Sequence, residues 1–239
     1  MASAAPAPTR TETDSLGSME IPADAYWGIH TARADANFPI TKRPISVYPD
    51  LVVALAMVKQ ASARANREIG VLDPERADLI DRAAQRVIDG EFHDQFTVGV
   101  IQGGAGTSTN MNANEVITNI ALELAGREKG DYAFLSPIDH TNRSQSTNDV
   151  YPTAVKIGLS LTLRSLLEEL DLLRISFLHK SHEFHDVLKV GRTQLQDAVP
   201  MTLGQEFHGF ASTLGYDHTR LTENASPVSY THLTLPTKA

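Results

Sequence analysis

The sequence predicts a mainly α-helical protein, and three observations support this prediction. Apolar residues recur at helical spacing over several long segments. The breaks between these segments carry helix caps, prolines and glycines. Strands and helices do not alternate as they do around a parallel sheet, and no internal repeat is visible. A chain of 239 residues is long enough for one large domain or two small ones.

Composition and charge narrow the functional class. The net charge of -8 argues against a nucleic-acid partner, because phosphate binding requires a basic surface. The chain has no cysteine, so it has neither a disulfide framework nor thiolate chemistry, as is common in a reducing compartment. No apolar run reaches the length of a membrane span. We therefore expect a soluble cytoplasmic protein without a membrane partner.

The first forty residues predict a tail, a hairpin and a helix. The start, "MASAAPAPTRTET", is small, polar and proline-rich, so residues 1–12 are expected to form a disordered tail. The segment "TDSLGSMEIP" predicts a hairpin that turns at Gly17 and Ser18. The segment "ADAYWGIHTARADANF" predicts a helix that includes Trp27, the only tryptophan.

Two capped helices follow. A proline-rich loop ends at Asp50, the predicted N-cap of a helix that Gly70 ends. The segment "DPERADLIDRAAQRVIDG" predicts a second helix, capped by Asp73 and closed by Gly90.

Three polar loops divide the rest of the chain. "IQGGAGTSTN" precedes a helix in "ANEVITNIALELAG", and "SPIDHTNRSQSTND" precedes the longest helix, at roughly 152–185. "VGRTQLQDAVP" is expected to be an extended loop before a helix at about 203–223. The longest helix is apolar nearly all round, so we infer a helical bundle shared between subunits. A central helix in a monomeric bundle is the alternative.

The three loops carry hydroxyl and amide side chains with little formal charge. The first two lead directly into helices, whose N-termini present unpaired N–H groups and a partial positive charge. Such a cradle suits a small carboxylate. Three glycines of the first loop, Gly103, Gly104 and Gly106, would let the backbone come close to a ligand. Taken singly, each loop also fits an ordinary helix cap.

Three segments resemble a known family. "GAGTSTNMNANEV", "SQSTNDVYPTA" and "GRTQLQDAVPMTLGQE" closely resemble the signature segments of the aspartase/fumarase superfamily, in the same order. With "IPADAYWGIHTARADANFPI" the resemblance spans roughly 11–223. It implies a mostly helical N-terminal mixed domain, at 13–147, followed by the start of a long-helix bundle domain, at 148–225. It also implies a homotetramer whose active sites combine loops of three subunits.

The resemblance is closest to the ammonia-lyases and implies the removal of ammonia from L-aspartate to give fumarate, without a cofactor. Removing the Cβ proton pushes charge onto the adjacent carboxylate, and preorganised neutral donors can stabilise that charge. Asn148 and Thr147 are expected to hold the amino group and a carboxylate. The residues that the resemblance implies in substrate binding are Thr107, Ser146, Thr147, Asn148, Thr193 and Gln194.

Two alternatives stay open. Class II-type fumarate hydratases typically carry His where this chain has Gln194. Because hydroxide needs a proton to leave and ammonia does not, the amide favours an ammonia-lyase over a hydratase. The second alternative is a non-catalytic helical assembly module with the same fold.

The family's catalytic base lies in a serine loop that this sequence does not contain, so no catalytic residue is assigned. The resemblance also ends at about Ser226, and residues 226–239 are expected to be an unrelated tail on a truncated chain. The chain alone is therefore expected to be inactive and prone to aggregate.

Other polar residues have ordinary interpretations. His179, His182 and His185 are spaced as neighbours on one helical face, where a metal is conceivable, but a solvated face is favoured and no metal site is expected. His140 could orient the second polar loop, although an ordinary loop histidine is favoured. Arg143 and Arg192 flank the loops, either to attract a dianion or in surface ion pairs.

Overall fold

The computed structural model describes residues 7–225 and is mainly α-helical, as predicted. The described residues form two compact units, divided in the chain between Leu159 and Ser160. The helices are α1 Ile29–Asn37, α2 Pro49–Glu68, α3 Pro74–Ile88, α4 Thr107–Leu124, α5 Thr147–Glu183 and α6 Leu203–Ala225. The strands are β1 Thr9–Asp14, β2 Gly17–Pro22, β3 Leu188–Thr193 and β4 Gln196–Thr202. No helix within residues 7–225 combines the length and apolar character needed to cross a bilayer.

The N-terminal hairpin corrects two predictions. β1 pairs antiparallel with β2 from Thr9 to Asp14, so the prediction of disorder was wrong for residues 9–12, and residues 1–6 lie outside the described part. The strand is held by contacts that are distant in sequence, because Glu12 is buried and accepts from the backbone N–H of Ile29 at 2.8 Å. The turn lies two positions earlier than predicted, at Ser15 and Leu16. It comes immediately before Gly17, whose φ of 114° suits glycine.

The next three helices begin and end close to the predicted positions. α1 starts after Trp27, which the prediction had placed inside the helix. Asp50 lies in the first turn of α2 and is not its N-cap, because Pro49 already opens the helix. Gly70, with a φ of 75°, follows the end of α2 as predicted. The side chain of Asp73 caps α3 by accepting two backbone N–H groups.

The core of the first unit lies between α2, α3 and α4. α4 is its central helix, with thirteen of eighteen residues buried. Burying one large apolar side chain contributes roughly 1.5–3 kcal/mol, so this core supplies most of the unit's stability. Its largest fully buried apolar side chains include Leu55, Ile80, Phe96, Ile117 and Leu135.

The second unit contains a hairpin that the sequence analysis interpreted as an extended loop. β3 pairs antiparallel with β4, with an irregularity between Val190 and Arg192. The two turn residues, Gln194 and Leu195, have φ values of 49° and 63°. Hairpin turns of this kind usually carry Asn-Gly or Asp-Gly, so Gln-Leu gave no turn signal.

α5 and α6 pack through aromatic rings in the second unit. Phe207 of α6 lies 5.9 Å from Phe177 and 5.7 Å from Phe184, measured between ring centroids. α6 begins at Leu203, as predicted. α5 begins at Thr147 and not near Pro152, since proline is tolerated close to a helix N-terminus, where few backbone N–H bonds are lost.

Candidate functional site

Two of the three polar loops come together in the first unit. The first turn of α4 contacts the first turn of α5, where Asn110 donates from Nδ2 to Thr147 Oγ1 at 3.2 Å. A cavity of about 500 Å³ lies beside this contact and is lined by residues of both segments, including Gln102, Gly106 and Asn148. Cavities of this size hold small ligands, so the two helix N-termini meet at a space suited to one.

Thr107, the predicted site residue of the first loop, opens α4 and is exposed. Its hydroxyl donates to the carbonyl of Gly104 at 2.6 Å, which closes the loop on itself. Thr107 also lines a second cavity of about 580 Å³, together with Ser108 and His30. Its hydroxyl oxygen keeps acceptor capacity, so a ligand N–H group could bind there.

The predicted residues of the second loop take three different positions. Ser146 caps α5, because its Oγ accepts from the backbone N–H of Asn148 at 3.2 Å. Thr147 is half-buried and accepts from Asn110. Asn148 is exposed and lines the 500 Å³ cavity. The hydroxyl of Ser146 thus caps α5, while Asn148 is free to meet a ligand in the cavity.

Thr193 and Gln194 belong to the second unit. Thr193 ends β3, where it pairs with Gln196, and Gln194 begins the turn. Both side chains are exposed. The structure therefore gathers Thr107, Ser146, Thr147 and Asn148 within one unit and presents the other two predicted residues on the turn of β3 and β4.

The glycine-rich loop is shaped by aromatic rings of the protein. A Cβ on Gly103 would come within 2.8 Å of the Phe38 ring, and one on Gly106 would overlap the Tyr151 ring. Gly104 and Gly106 also have left-handed φ values of 81° and 88°. The close approach that these glycines permit is thus to Phe38 and Tyr151, which hold the loop in place beside the cavity.

A buried lysine lies beneath the second loop, and sequence reasoning missed it. The Nζ of Lys59 donates to three amide oxygens: Asn110 Oδ1 at 2.6 Å, Gln145 Oε1 at 2.8 Å and Asn142 Oδ1 at 3.0 Å. Burial lowers the pKa of Lys59 to about 7. The only sequence signal was its spacing, since Lys59 stands four residues after the buried Leu55 on the apolar face of α2.

Asn142 joins the lysine to α4 and to the second loop itself. Its Oδ1 also accepts from Asn110 Nδ2 at 3.1 Å and from Asn114 Nδ2 at 3.2 Å. Its own Nδ2 donates to the Gln145 carbonyl at 3.1 Å. The second loop is therefore anchored from α2 and α4, and its geometry depends on the fold of the whole unit.

A buried carboxylate organises the first helix in a similar way. Glu115 of α4 is fully buried and accepts from the backbone N–H groups of Gly28, His30 and Thr31 at 2.8–3.0 Å. It thereby satisfies the N-terminus of α1, which has no cap of its own. The hydrogen bond to Glu115 raises the pKa of His30, against the opposite effect of burial.

The remaining histidines and arginines make local contacts. His140 accepts from the backbone N–H of Ser136 at 2.8 Å, and burial lowers its pKa. Arg192 lies 3.4 Å from Asp197 in an exposed ion pair. In the described part of the chain, no group of three or more His, Cys, Asp or Glu side chains is placed to hold a metal.

Comparisons with known proteins agree with this fold. A family model described as lyase matches residues 17–235. The chain is 60% identical over 215 residues to a protein of Pseudomonas aeruginosa named aspartate ammonia-lyase, a match that covers 90% of this chain and 45% of that protein. The chain thus spans about half the length of the curated relatives it matches.

Two solved structures are also similar. The crystal structure of a fumarate lyase:delta crystallin from Brucella melitensis has a TM-score of 0.90 at 52% identity, covering 92% of this chain and 51% of that one. A class II fumarase from Schistosoma mansoni has a TM-score of 0.83 at 34% identity, covering 92% and 46%. These matches confirm the predicted fold class.

Proposed function

Because the chain belongs to the lyase family of aspartases and fumarases, we propose that it acts in an enzyme that removes ammonia from L-aspartate to give fumarate. The observation that carries this proposal is the pair of helix N-termini, α4 and α5, which meet at a cavity with neutral donors in its wall. The 60% identity to a protein named aspartate ammonia-lyase supports the choice of substrate.

The cavity wall suits a dicarboxylate for a physical reason. Carboxylates are stabilised by backbone N–H groups and by the positive end of a helix. None of the described residues that line the cavity near Asn148 is acidic, so a dianion meets no like charge from them. We assign Thr147 and Asn148 to the amino group and a carboxylate of the substrate. Supporting contacts are assigned to Thr107, Ser146, Thr193 and Gln194.

The chemical demand is to stabilise developing charge. Removing a proton from Cβ of aspartate places a second negative charge on the neighbouring carboxylate, and the Cα–N bond then breaks to release ammonia. Donors held in position before the reaction stabilise this charge without reorganising, and each typically contributes on the order of a hundredfold or more in rate. This is the role proposed for the side chains around the cavity.

Assembly is part of the proposal. α5 and α6 expose large apolar side chains, such as Leu166 and Phe210, and such surfaces usually lie in an interface. A homotetramer of the kind that the family resemblance implies would cover them. A cytoplasmic location is proposed with it, because the absence of cysteine fits a reducing compartment.

Hydration of fumarate is the rival function. The class II fumarase from Schistosoma mansoni shares the fold, but its identity is 34%. Gln194 favours elimination of ammonia, since an amide can bind a substrate but cannot protonate a hydroxide leaving group. Two related activities on one fold must be separated by assay.

The test uses a chimera in which residues 17–225 replace the matched segment of the Pseudomonas aeruginosa relative. Formation of fumarate is followed by absorbance, with L-aspartate or L-malate as substrate, beside the unaltered relative. We expect turnover of L-aspartate and little reaction with malate. Faster turnover of malate would reject the ammonia-lyase assignment in favour of the hydratase.

Asn148→Ala is the first variant to assay in that chimera. Losing one preorganised donor should lower kcat/KM for L-aspartate on the order of a hundredfold or more. Asn224→Ala, at an exposed asparagine of α6, is the matched control and should keep full activity. If Asn148→Ala retained nearly full kcat/KM, Asn148 would have no part in substrate binding.

A further inference from the structure

The ammonium group of Lys59 fixes the direction of the hydrogen bonds around it. Its Nζ lies within 3.0 Å of the amide oxygens of Asn110, Asn142 and Gln145. A neutral amine has only two N–H bonds, so three close oxygens correspond to the ammonium form, which has three donors and no acceptor. The amide oxygens must therefore face Lys59, and the NH₂ groups must face away from it.

The orientation of the Asn110 amide in turn fixes the orientation of the Thr147 hydroxyl. With its oxygen held by Lys59, the Nδ2 of Asn110 donates to Asn142 Oδ1 at 3.1 Å and to Thr147 Oγ1 at 3.2 Å. Asn142 cannot exchange its oxygen and nitrogen, because its Oδ1 already accepts from Lys59. The hydroxyl of Thr147 is therefore an acceptor towards Asn110, and its own O–H bond must point elsewhere.

We propose that Lys59 and Asn110 are positioning residues that hold the hydroxyl of Thr147 as a hydrogen-bond donor towards an anionic group of the substrate. No residue in the described part of the chain accepts a hydrogen bond from that hydroxyl. A hydroxyl free to rotate would spend part of its time as an acceptor, which repels an anion, so a fixed direction preorganises the donor. The inference rests on the proposed function, in which Thr147 contacts the substrate.

A purely structural role for Lys59 is the competing explanation. In that case the lysine only ties α2 to the second polar loop, and the direction of the Thr147 hydroxyl has no consequence. The two explanations differ in one respect. If Lys59 and Asn110 act through Thr147, their effect on rate must disappear when the Thr147 hydroxyl is absent.

Asn110→Asp in the chimera separates these explanations. A carboxylate at this position still accepts from Lys59 but has no N–H bond for Thr147, whose hydroxyl then turns inward to donate. We expect kcat for L-aspartate to fall on the order of a hundredfold, with a smaller change in KM. Circular dichroism and urea unfolding check that the variant is folded. We expect it to fold, because the ammonium group of Lys59 keeps a partner, now of opposite charge.

The double-mutant cycle uses Thr147→Val, which removes the hydroxyl, and Thr147→Ser, which keeps it. Adding Asn110→Asp to Thr147→Val should produce no further loss, whereas adding it to Thr147→Ser should again cost on the order of a hundredfold. Equal losses on both backgrounds would overturn the proposal and favour a structural role. If the unsubstituted chimera has no ammonia-lyase activity, the proposed function fails, and this outcome is distinct from a failed cycle.

A second measurement does not depend on activity or on the folding of Asn110→Asp. Solid-state NMR of the chimera, labelled with ¹⁵N at lysine Nζ, reports whether Lys59 is an ammonium or a neutral amine, and the signal lost in Lys59→Met identifies the residue. An ammonium at pH 6 is the expected result. A neutral amine at pH 6 would remove the cause of the fixed direction and overturn the proposal.

Discussion

The two units of this protein differ in the polar side chains that they bury and in the apolar side chains that they expose. The first buries a lysine and a glutamate, Lys59 and Glu115, with no measurable exposure. The second leaves large apolar side chains in the open, such as Leu188 at 80% exposure and Tyr216 at 72%. Burying a charge is unfavourable unless its partners are complete, and exposing apolar surface is unfavourable unless something covers it. The first unit therefore surrounds the charged groups that it buries with partners, whereas the second leaves large apolar side chains uncovered.

α5 illustrates the same contrast within one helix. Three of its thirty-seven residues are buried, and all three, Val150, Ala154 and Gly158, belong to the first unit. The remainder of the helix has apolar side chains on several sides. This pattern is typical of a helix in a bundle, which agrees with the proposed homotetramer.

The largest expected effect is on self-association of the 239-residue chain. Leu166→Glu combined with Leu173→Glu, two exposed positions on α5, should strongly reduce light scattering, because charges disrupt contact between apolar surfaces. Leu16→Glu, at an exposed leucine of the first unit, is the control and should leave the scattering unchanged. Equal effects at both places would mean that exposure in the second unit does not drive association.

The next effect is on stability. Glu115→Leu leaves the backbone N–H groups of Gly28, His30 and Thr31 buried without an acceptor. We expect the free energy of unfolding in urea to fall by about 3–5 kcal/mol. Glu206→Leu removes a glutamate from a half-exposed pair with Lys189 in the second unit and should cost about 1 kcal/mol or less. A small loss for Glu115→Leu would show that α1 is held mainly by other contacts.

The same substitution, glycine to alanine, at one helical glycine of each unit tests whether the first unit is packed more closely than the second. A Cβ on Gly158 would lie 3.2 Å from the backbone of Leu51, while one on Gly209 would meet nothing within 4 Å. Gly158→Ala should therefore destabilise by about 1–3 kcal/mol through overpacking. Gly209→Ala should stabilise by about 0.5–1 kcal/mol, since alanine is the better helix former. Thermal unfolding followed by circular dichroism checks both, and effects of the same sign would contradict the comparison.

The smallest effect is a pH dependence in the first unit. The hydrogen bond to Glu115 raises the folded-state pKa of His30 above its ordinary value of 6.5. The stabilisation is therefore complete below about pH 6.5 and is lost as the pH rises through the raised pKa. The free energy of unfolding is measured at pH 5.5 and at pH 8.5. His30→Gln should remove the part of the difference between the two values that His30 contributes. His179→Gln, at an exposed histidine of α5, should leave the difference as it is.

Much of the fold could be predicted because the relevant signals are local. The Asp73 cap and the Gly70 end of α2 depend on neighbouring residues alone. Helical periodicity after Leu51 predicted α2 for the same reason. The β3 and β4 hairpin was missed because Gln194 and Leu195 take left-handed conformations that their identities do not favour. The strand at residues 9–12 was missed because its sequence is polar and because Glu12 binds the backbone N–H of Ile29, outside the hairpin.

The sequence by itself determined the helical class, the order of the polar loops and the family, since each is written in contiguous residues. Only the tertiary structure decided which polar side chains act together. Lys59 lies fifty-one positions from Asn110 and eighty-three from Asn142, and no local pattern joins them. An ammonium group inside a core is stable only where several acceptors surround it, and those acceptors are assembled by the packing of α2 and α4 against the second polar loop.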